Sequence, residues 1–320
     1  MNEFELIQEF FSGKSPSRKD VILGIGDDAA ILHVPDGMQV VATVDTLVEG
    51  VHFPAGLSAE DIGHRSLAVS LSDVAAMGAE PAWALLALTL PNANEKWLTD
   101  FTRGFLALAQ RHAVALVGGN LARGPLSVTV TAHGLVPNGA ALTRSGARPG
   151  DHIYVSSELG AAAAGLRLIR NRIEPEAGER LRTRFAQPEP RIALGLALRG
   201  LANACIDISD GFFADLAHVL RSSGAGAEVN VDTLPLAAEA VELLGRAEAR
   251  QLAFAGGDDY ELCFCMPPAR LAQLQQRLGK VNCPVTQVGV VTAEQSLRCL
   301  QTDGTRWVPD ADTSGYRHFK

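Results

Sequence analysis

The stretch VILGIGDDAAILHVPDG, residues 21 to 37, has two readings, and the choice between them decides the fold. Gly24, Gly26 and Ala29 fit the dinucleotide pattern GxGxxA, with Asp45 about twenty residues further on. That pattern works only when a helix starts at the glycines and points its N-terminus at a pyrophosphate. Here the continuation AAILHV alternates like a strand and then turns at Pro35-Asp36-Gly37, while Asp27 and Asp28 stand where the phosphates belong. The dinucleotide reading fails. A strand, a glycine-permitted acidic bend and a second strand remain, and the next run, QVVATVDTLV, reads as a strand paired with them across the turn.

Further along, carboxylates recur against glycine or small residues: TVDTLVEGVHF (43 to 53), SLSDVAAMGA (70 to 79), IDISDG (206 to 211) and GGDDYEL (256 to 262). Carboxylates that converge on one site repel each other unless cations neutralise them. Mg²⁺ held between carboxylates and substrate phosphates is the usual solution. No GxxxxGK[ST] loop, HExxH helix, GxSxG elbow or metal-spaced Cys/His set occurs. The pattern points to phosphoryl transfer without a phosphate-loop lysine.

Each segment has its own logic. Asp27 and Asp28 suit a cation at the bend. Period-two geometry puts Thr43 and Asp45 on one strand face and Ala42, Val44 and Thr46 on the other, so that a hydroxyl and a carboxylate stand side by side. His52, just past Gly50, is placed to hydrogen-bond a phosphate or a ring. Asp73 lies on a helix among Val69, Ala76 and Met77, with Ser66 and Ser70 near its face. A carboxylate packed there must be paired, hydrogen-bonded or metal-bound. Asp207 and Ser209 alternate with Ile206 and Ile208, and Asp210-Gly211 opens into a helix whose free N–H groups suit a phosphate. GGNLARG (118 to 124) offers flexible backbone, the Asn120 amide and the Arg123 guanidinium, and Arg144 suits bidentate pairing with a triphosphate.

The chain of 320 residues, 47% hydrophobic and 20% charged, is long enough for two folded domains. A formal charge of −8 excludes a general electrostatic grip on nucleic acid or an anionic membrane. No apolar run reaches the roughly 18 residues of a membrane span. The acidic opening MNEFELIQEFF is unlike a secretory signal. Five cysteines without a CxxC pair fit a reduced cytoplasm, and Cys263 and Cys265 are expected to pack on one strand face. Strands and helices alternate in each half. A helix spans 58 to 79 with Ser58 as N-cap, another spans 237 to 253, and the polar joint TRSGARPGD (143 to 151) separates residues 1–148 from 149–320.

Taken in order, GIGDDAA, TVDTLVEGVHF, SLSDVAAMGAEPAW, GGNLARGPLSVTV, ALTRSGARPGD, IDISDG, GGDDYELCF and the terminal GYRHF resemble the thiamine-monophosphate kinases of the aminoimidazole-ribonucleotide-synthetase-like superfamily. The resemblance runs over nearly the whole chain. It implies an α+β pair of domains with mixed β-sheets flanked by helices. The first domain would bind ATP and Mg²⁺ and form a homodimer through its sheet, and the second would complete the substrate cleft. The implied reaction converts ATP and thiamine monophosphate to ADP and thiamine diphosphate with several Mg²⁺ ions and no covalent nucleophile.

By motif position the resemblance makes Asp28, Thr43, Asp45, Asp73, Asn120, Asp207 and Asp210 metal ligands. Gly119, Asn120, Arg144 and Ser209 become ATP contacts, and His52, Asp258 and Tyr316 substrate contacts. Three departures stand out. Asn120 replaces the usual Asp and weakens one metal position, Asp258 replaces the usual Glu, and Thr313 stands where a Trp precedes the GY-x-HF ending. Tyr316 or Trp307 would then supply the face that stacks on thiamine. Two competing readings are a ligase-like synthetase of the same superfamily and a non-catalytic Mg-nucleotide sensor, the latter favoured only by Asn120.

Overall fold

The computed structural model describes residues 2–173, 178–279, 281 and 283–308. They form two compact units. One comprises the chain up to Val74 with Ala79–Gly139, the other Ala75–Gly78 with the chain from Ala140 onward.

The first unit contains α1 (Glu3–Phe10), β1 (Val21–Leu23), β2 (Ile31–Leu32), β3 (Met38–Val48), α2 (Ala59–Ala76), β4 (Glu80–Leu90), α3 (Glu95–Arg111), β5 (Ala115–Arg123) and β6 (Ser127–Pro137). Strand order in its main sheet is β3-β6-β4-β5, antiparallel except for the parallel pair β4/β5. No helix starts at Gly26. Instead the GIGDD bend folds β1 back on β2, with Val21 opposite Leu32.

The expected pairing of β3 with the preceding strands does not form. β3 pairs with β6 along its whole length, from Met38↔Pro137 to Val48↔Ser127. A continuous antiparallel ladder satisfies far more backbone groups than the short β1/β2 segment could offer.

α2 starts where the sequence places it, with the Asp61 amide donating to Ser58 Oγ at 3.1 Å. Its apolar stripe, Leu67, Leu71 and Val74, is fully buried. α2 and α3 cross in backbone contact. A Cβ on Gly63 would lie 2.0 Å from the Phe101 carbonyl oxygen, and one on Gly104 1.9 Å from that of Glu60. The opposite sheet face is open at β3, where Val40 and Val44 are exposed.

The second unit adds β7 (His152–Ser156), α4 (Ala161–Asn171), α5 (Glu179–Ala186), α6 (Ile192–Leu198), β8 (Ala204–Ile208), α7 (Phe212–Ser223), β9 (Gly226–Asn230), α8 (Ala238–Leu244), α9 (Arg246–Ala255), β10 (Glu261–Met266), α10 (Leu271–Leu278), β11 (Val285–Thr292) and β12 (Leu297–Leu300). Its sheet order is β12-β9-β11-β7-β10-β8, so β8 lies at an edge. Ile153, Val155, Ile206, Ile208, Phe212 and Phe254 belong to one core cluster with Cys263 and Cys265. The last two pack as expected, and burial pushes the Cys265 thiol up to about 12. The single helix expected over 237 to 253 is broken at Gly245 into α8 and α9. Among the described residues no helix is long and apolar enough to cross a membrane.

Candidate active site

The first unit brings three of the expected residues together. Alternation along β3 turns Thr43 and Asp45 toward α2, whose Ser70 and Asp73 lie one helical turn apart. Thr43 Oγ1 donates to Asp73 Oδ2. Ser70, fully buried, donates to Asp45 Oδ2 at 2.8 Å. Burial, and then the neighbouring Asp73, push the Asp45 carboxyl up to about 6, opposed by the Ser70 hydrogen bond. No cationic side chain pairs with Asp45 or Asp73 among the described residues. A hard divalent cation fits such a pair of carboxylates flanked by hydroxyls. Among the described residues no group of three or more His, Cys, Asp or Glu side chains is disposed to hold a metal alone. Mg²⁺ is commonly held by one or two carboxylates together with waters and substrate phosphates.

The other expected residues of this unit share no hydrogen bond with the pair among the described residues. Asp28 lies in the exposed bend, its amide donating to Asp27 Oδ1 at 2.8 Å. His52 sits in the turn after β3. Its Nδ1 accepts the Val48 amide hydrogen at 2.9 Å, which leaves the proton of the neutral ring on Nε2. Gly119 and Asn120 are not in a flexible loop but inside edge strand β5. A Cβ on Gly119 would fall 1.9 Å from the Leu86 carbonyl oxygen, so close strand packing requires glycine there. Through the register, Gly119 aligns with Leu86, Val130 and Asp45, and Asn120 with Ala87, Thr129 and Thr46. Asn120 therefore faces the side of the sheet opposite Asp45 and is not brought to the carboxylate pair.

In the second unit, β8 ends at Ile208 and the chain bends through Ser209-Asp210-Gly211 into α7. Asp207 is buried. The segment that leads into α7 is fastened by an acid of the helix's own first turn. The amides of Ser209, Asp210 and Gly211 all donate to Asp215 Oδ2, at 3.1, 3.0 and 3.1 Å. Burial and then Asp210 push the Asp215 carboxyl up to about 7, against the pull of these amides. The signal for this residue was an acid in the first turn of GFFAD.

The GGDDYEL acids divide their work. The Asp258 amide donates to the Ser209 carbonyl at 2.9 Å, and its carboxylate accepts from Tyr260 Oη at 3.3 Å. Ser209, Asp210 and Asp258 are thus held at one corner, with Asp258 in the left-handed region at φ 72°. Asp259 is structural. Its two oxygens accept the Gly160 and Ala162 amides at 2.7 and 3.1 Å and cap α4, while burial pushes its carboxyl up to about 7. Glu261, wholly buried, accepts from Ser156 Oγ, Arg184 and both arms of Arg191. Burial opposes the Arg191 charge, but the bonds and ion pair to Glu261 outweigh it and hold the guanidinium protonated.

Arg144 lies exposed within the joint. Trp307 packs edge-on against Phe254, with centroids 4.7 Å apart, and with Arg246, Ala247, Arg250 and Gln251 it lines a cavity of about 310 Å³. Tyr316 and Thr313 lie outside the described residues.

Comparison with known proteins places these features. Residues 26–136 match the N-terminal domain, and 148–300 the C-terminal domain, of the AIR synthase related proteins. The α+β fold is that of this superfamily, and it is shared at 18% identity and a TM-score of 0.77 by the hydrogenase maturation protein HypE. Within the superfamily the relationship is narrower. The chain is 43% identical over 320 residues to the thiamine-monophosphate kinase of Escherichia coli (strain K12), covering 99% of this chain and 98% of that one. It is 33% identical to that of Bacillus subtilis (strain 168), over the full length of both. The crystal structure of thiamine-monophosphate kinase from Stenotrophomonas maltophilia K279a superposes with a TM-score of 0.86 at 46% identity, over 91% of this chain and 93% of that one. AaThiL, solved in complex with AMPPCP and TMP, superposes with a TM-score of 0.78 at 31% identity, over 92% of each chain. The chain belongs to the thiamine-monophosphate kinase family.

Proposed function

We propose that this chain transfers the γ-phosphoryl group of ATP to thiamine monophosphate, giving thiamine diphosphate and ADP. Family membership supplies the substrates. The observation in this chain that carries the chemistry is the buried Asp45–Asp73 pair, which has two hydroxyls and no cationic partner among the described residues. The acceptor phosphate is already an anion near neutral pH, so the reaction requires charge neutralisation and alignment rather than a strong general base. In-line attack of the acceptor oxygen on the γ-phosphorus, with departure of ADP, needs no covalent intermediate on the protein.

Asp45 and Asp73, with Thr43, would hold Mg²⁺ in the first unit, and Asp207 and Asp210 in the second. Asp28 and Asn120 would ligate further ions, Asn120 from the sheet face opposite Asp45. When bound, the ions would neutralise phosphate oxygens. Ser70 keeps Asp45 oriented, and Asp215 fixes the Ser209–Gly211 backbone that presents Asp210. Gly119, Asn120, Arg144 and Ser209 are proposed ATP contacts. His52, whose Nε2–H is a donor, would contact thiamine monophosphate with Asp258 and Tyr316. Residues 1–148 would carry the ATP and metal functions and 149–320 the remaining substrate contacts. The exposed Val40 and Val44 face of β3 supports pairing of two copies as a homodimer, and a cytoplasmic setting suits the five free, buried cysteines.

The test is product formation by the purified protein with each component omitted in turn. Thiamine diphosphate must require ATP, thiamine monophosphate and Mg²⁺ together. ATP binding without turnover would favour the sensor reading instead.

A further inference from the structure

On α7, His218 and Arg221 stand three residues apart on one face, and Arg221 Nη2 lies 3.0 Å from His218 Nδ1. The same Nη2 lies 3.5 Å from Nε2. A guanidinium only donates, so the shorter contact makes Nδ1 the acceptor and the neutral imidazole carries its proton on Nε2. The Arg144 turn is fastened to the same helix. Ser223 Oγ at the end of α7 accepts the amides of Gly146 and Ala147 at 3.2 and 3.1 Å and donates to the Arg144 carbonyl at 3.4 Å. On its other side the Thr143 carbonyl accepts the Cys205 amide of β8 at 2.9 Å. Arg144 therefore has a fixed backbone beside β8 and α7 and an exposed side chain.

The charges are unbalanced. Burial, then Arg221 and Arg144, act to keep His218 neutral, and Asp210 acts on it in the other direction. Neither guanidinium has an ion-pair partner among the described residues. His218 lies only about 9 Å along the helix axis from Phe212, where α7 leaves the Asp210 corner. Two unpaired guanidinium groups and an N–H donor beside a proposed metal carboxylate suit a polyanion bound there.

We propose that His218 and Arg221 join Arg144 in a phosphate-binding cluster that grips the triphosphate of ATP. Arg221 orients His218 and binds phosphate oxygen itself, and His218 donates from Nε2. This rests on the proposed kinase function and adds two binding residues to it.

Calorimetric binding of AMPPCP and of AMP, with Mg²⁺, to the wild type and to Arg221→Ala, His218→Leu and His218→Gln tests the cluster. Wild-type turnover of ATP and thiamine monophosphate is measured in parallel. Loss of a charge-assisted hydrogen bond should weaken AMPPCP binding roughly tenfold or more in Arg221→Ala. AMP binding should stay within about twofold, and His218→Gln, which keeps an N–H donor, should bind AMPPCP more tightly than His218→Leu. AMPPCP affinity within about twofold of wild type in Arg221→Ala, or an equal loss for AMP, overturns the cluster while leaving the kinase function in place if the wild type turns over. A wild type that neither binds AMPPCP nor forms product overturns both. Arg221 is exposed, so unfolding of its variant is not expected, and a melting curve on each protein checks that.

Discussion

Ser70 on α2 donates its hydroxyl hydrogen to Asp45 on β3, and that bond holds a largely buried carboxylate facing a second one, Asp73. The arrangement is costly for the protein alone, because burial and like charge both disfavour ionised Asp45. A site that is unfavourable without its ligand is the mark of a ligand that brings the opposite charge.

Asp45→Asn should therefore stabilise the metal-free protein while abolishing activity. The Asp45 carboxyl is raised to about 6 from an ordinary value near 3.8. Its stabilising contribution is complete below about pH 4 and is lost as pH rises through 6. At pH 7.5 the variant should be more stable by on the order of 2–3 kcal/mol at most. Below about pH 4 the difference should vanish. Urea denaturation in chelator at the two pH values measures it, and an unchanged or lowered stability at pH 7.5 would count against the buried-pair account.

Asp215→Ala should destabilise the second unit by about 2–4 kcal/mol, since the amides of Ser209, Asp210 and Gly211 lose their shared acceptor. Asp215→Asn keeps an acceptor oxygen and should retain most of the stability. Thermal melts of the pair decide this, and equal losses in both variants would contradict the capping role.

Glu261→Gln should cost about 3–5 kcal/mol, because Arg184 and Arg191 would be left largely buried without their counter-charge. Denaturant midpoints with unchanged slopes would report it. A loss below about 1 kcal/mol would mean that the arginines find other partners.

Asn120→Asp should leave the Asp45–Asp73 pair undisturbed, because residue 120 lies on the opposite sheet face. If residue 120 nonetheless ligates metal, the variant should lower the Mg²⁺ concentration needed for half-maximal activity severalfold. An unchanged Mg²⁺ titration would remove Asn120 from the ligand set.

Local features of the chain were readable from sequence because local physics sets them. Alternation in VATVDTL placed Thr43 with Asp45, Ser58 capped its helix, and the GIGDD bend was distinguishable from a dinucleotide turn by the strand that follows it. Long-range pairing was not readable in this way. β3 takes β6, distant in sequence, instead of its neighbour. The face on which Asn120 lies depends on that register and on the irregularity between Ala84 and Leu85. The roles of Asp215 and Asp259 were hidden for a different reason. Asp259 caps α4 at Gly160 and Ala162, far from it in sequence. A first-turn acid such as Asp215 has the same composition whether its side chain faces a ligand or reaches back to the amides before its helix.

The most direct test of the central claim is the rate of thiamine diphosphate formation from ATP, thiamine monophosphate and Mg²⁺, in wild type and in Asp45→Ala. The account predicts product that requires all three components and is lost by at least about a thousandfold in the variant, a barrier increase of about 4 kcal/mol. Wild-type product formation that persists in Asp45→Ala, or no product despite tight ATP binding, would contradict it.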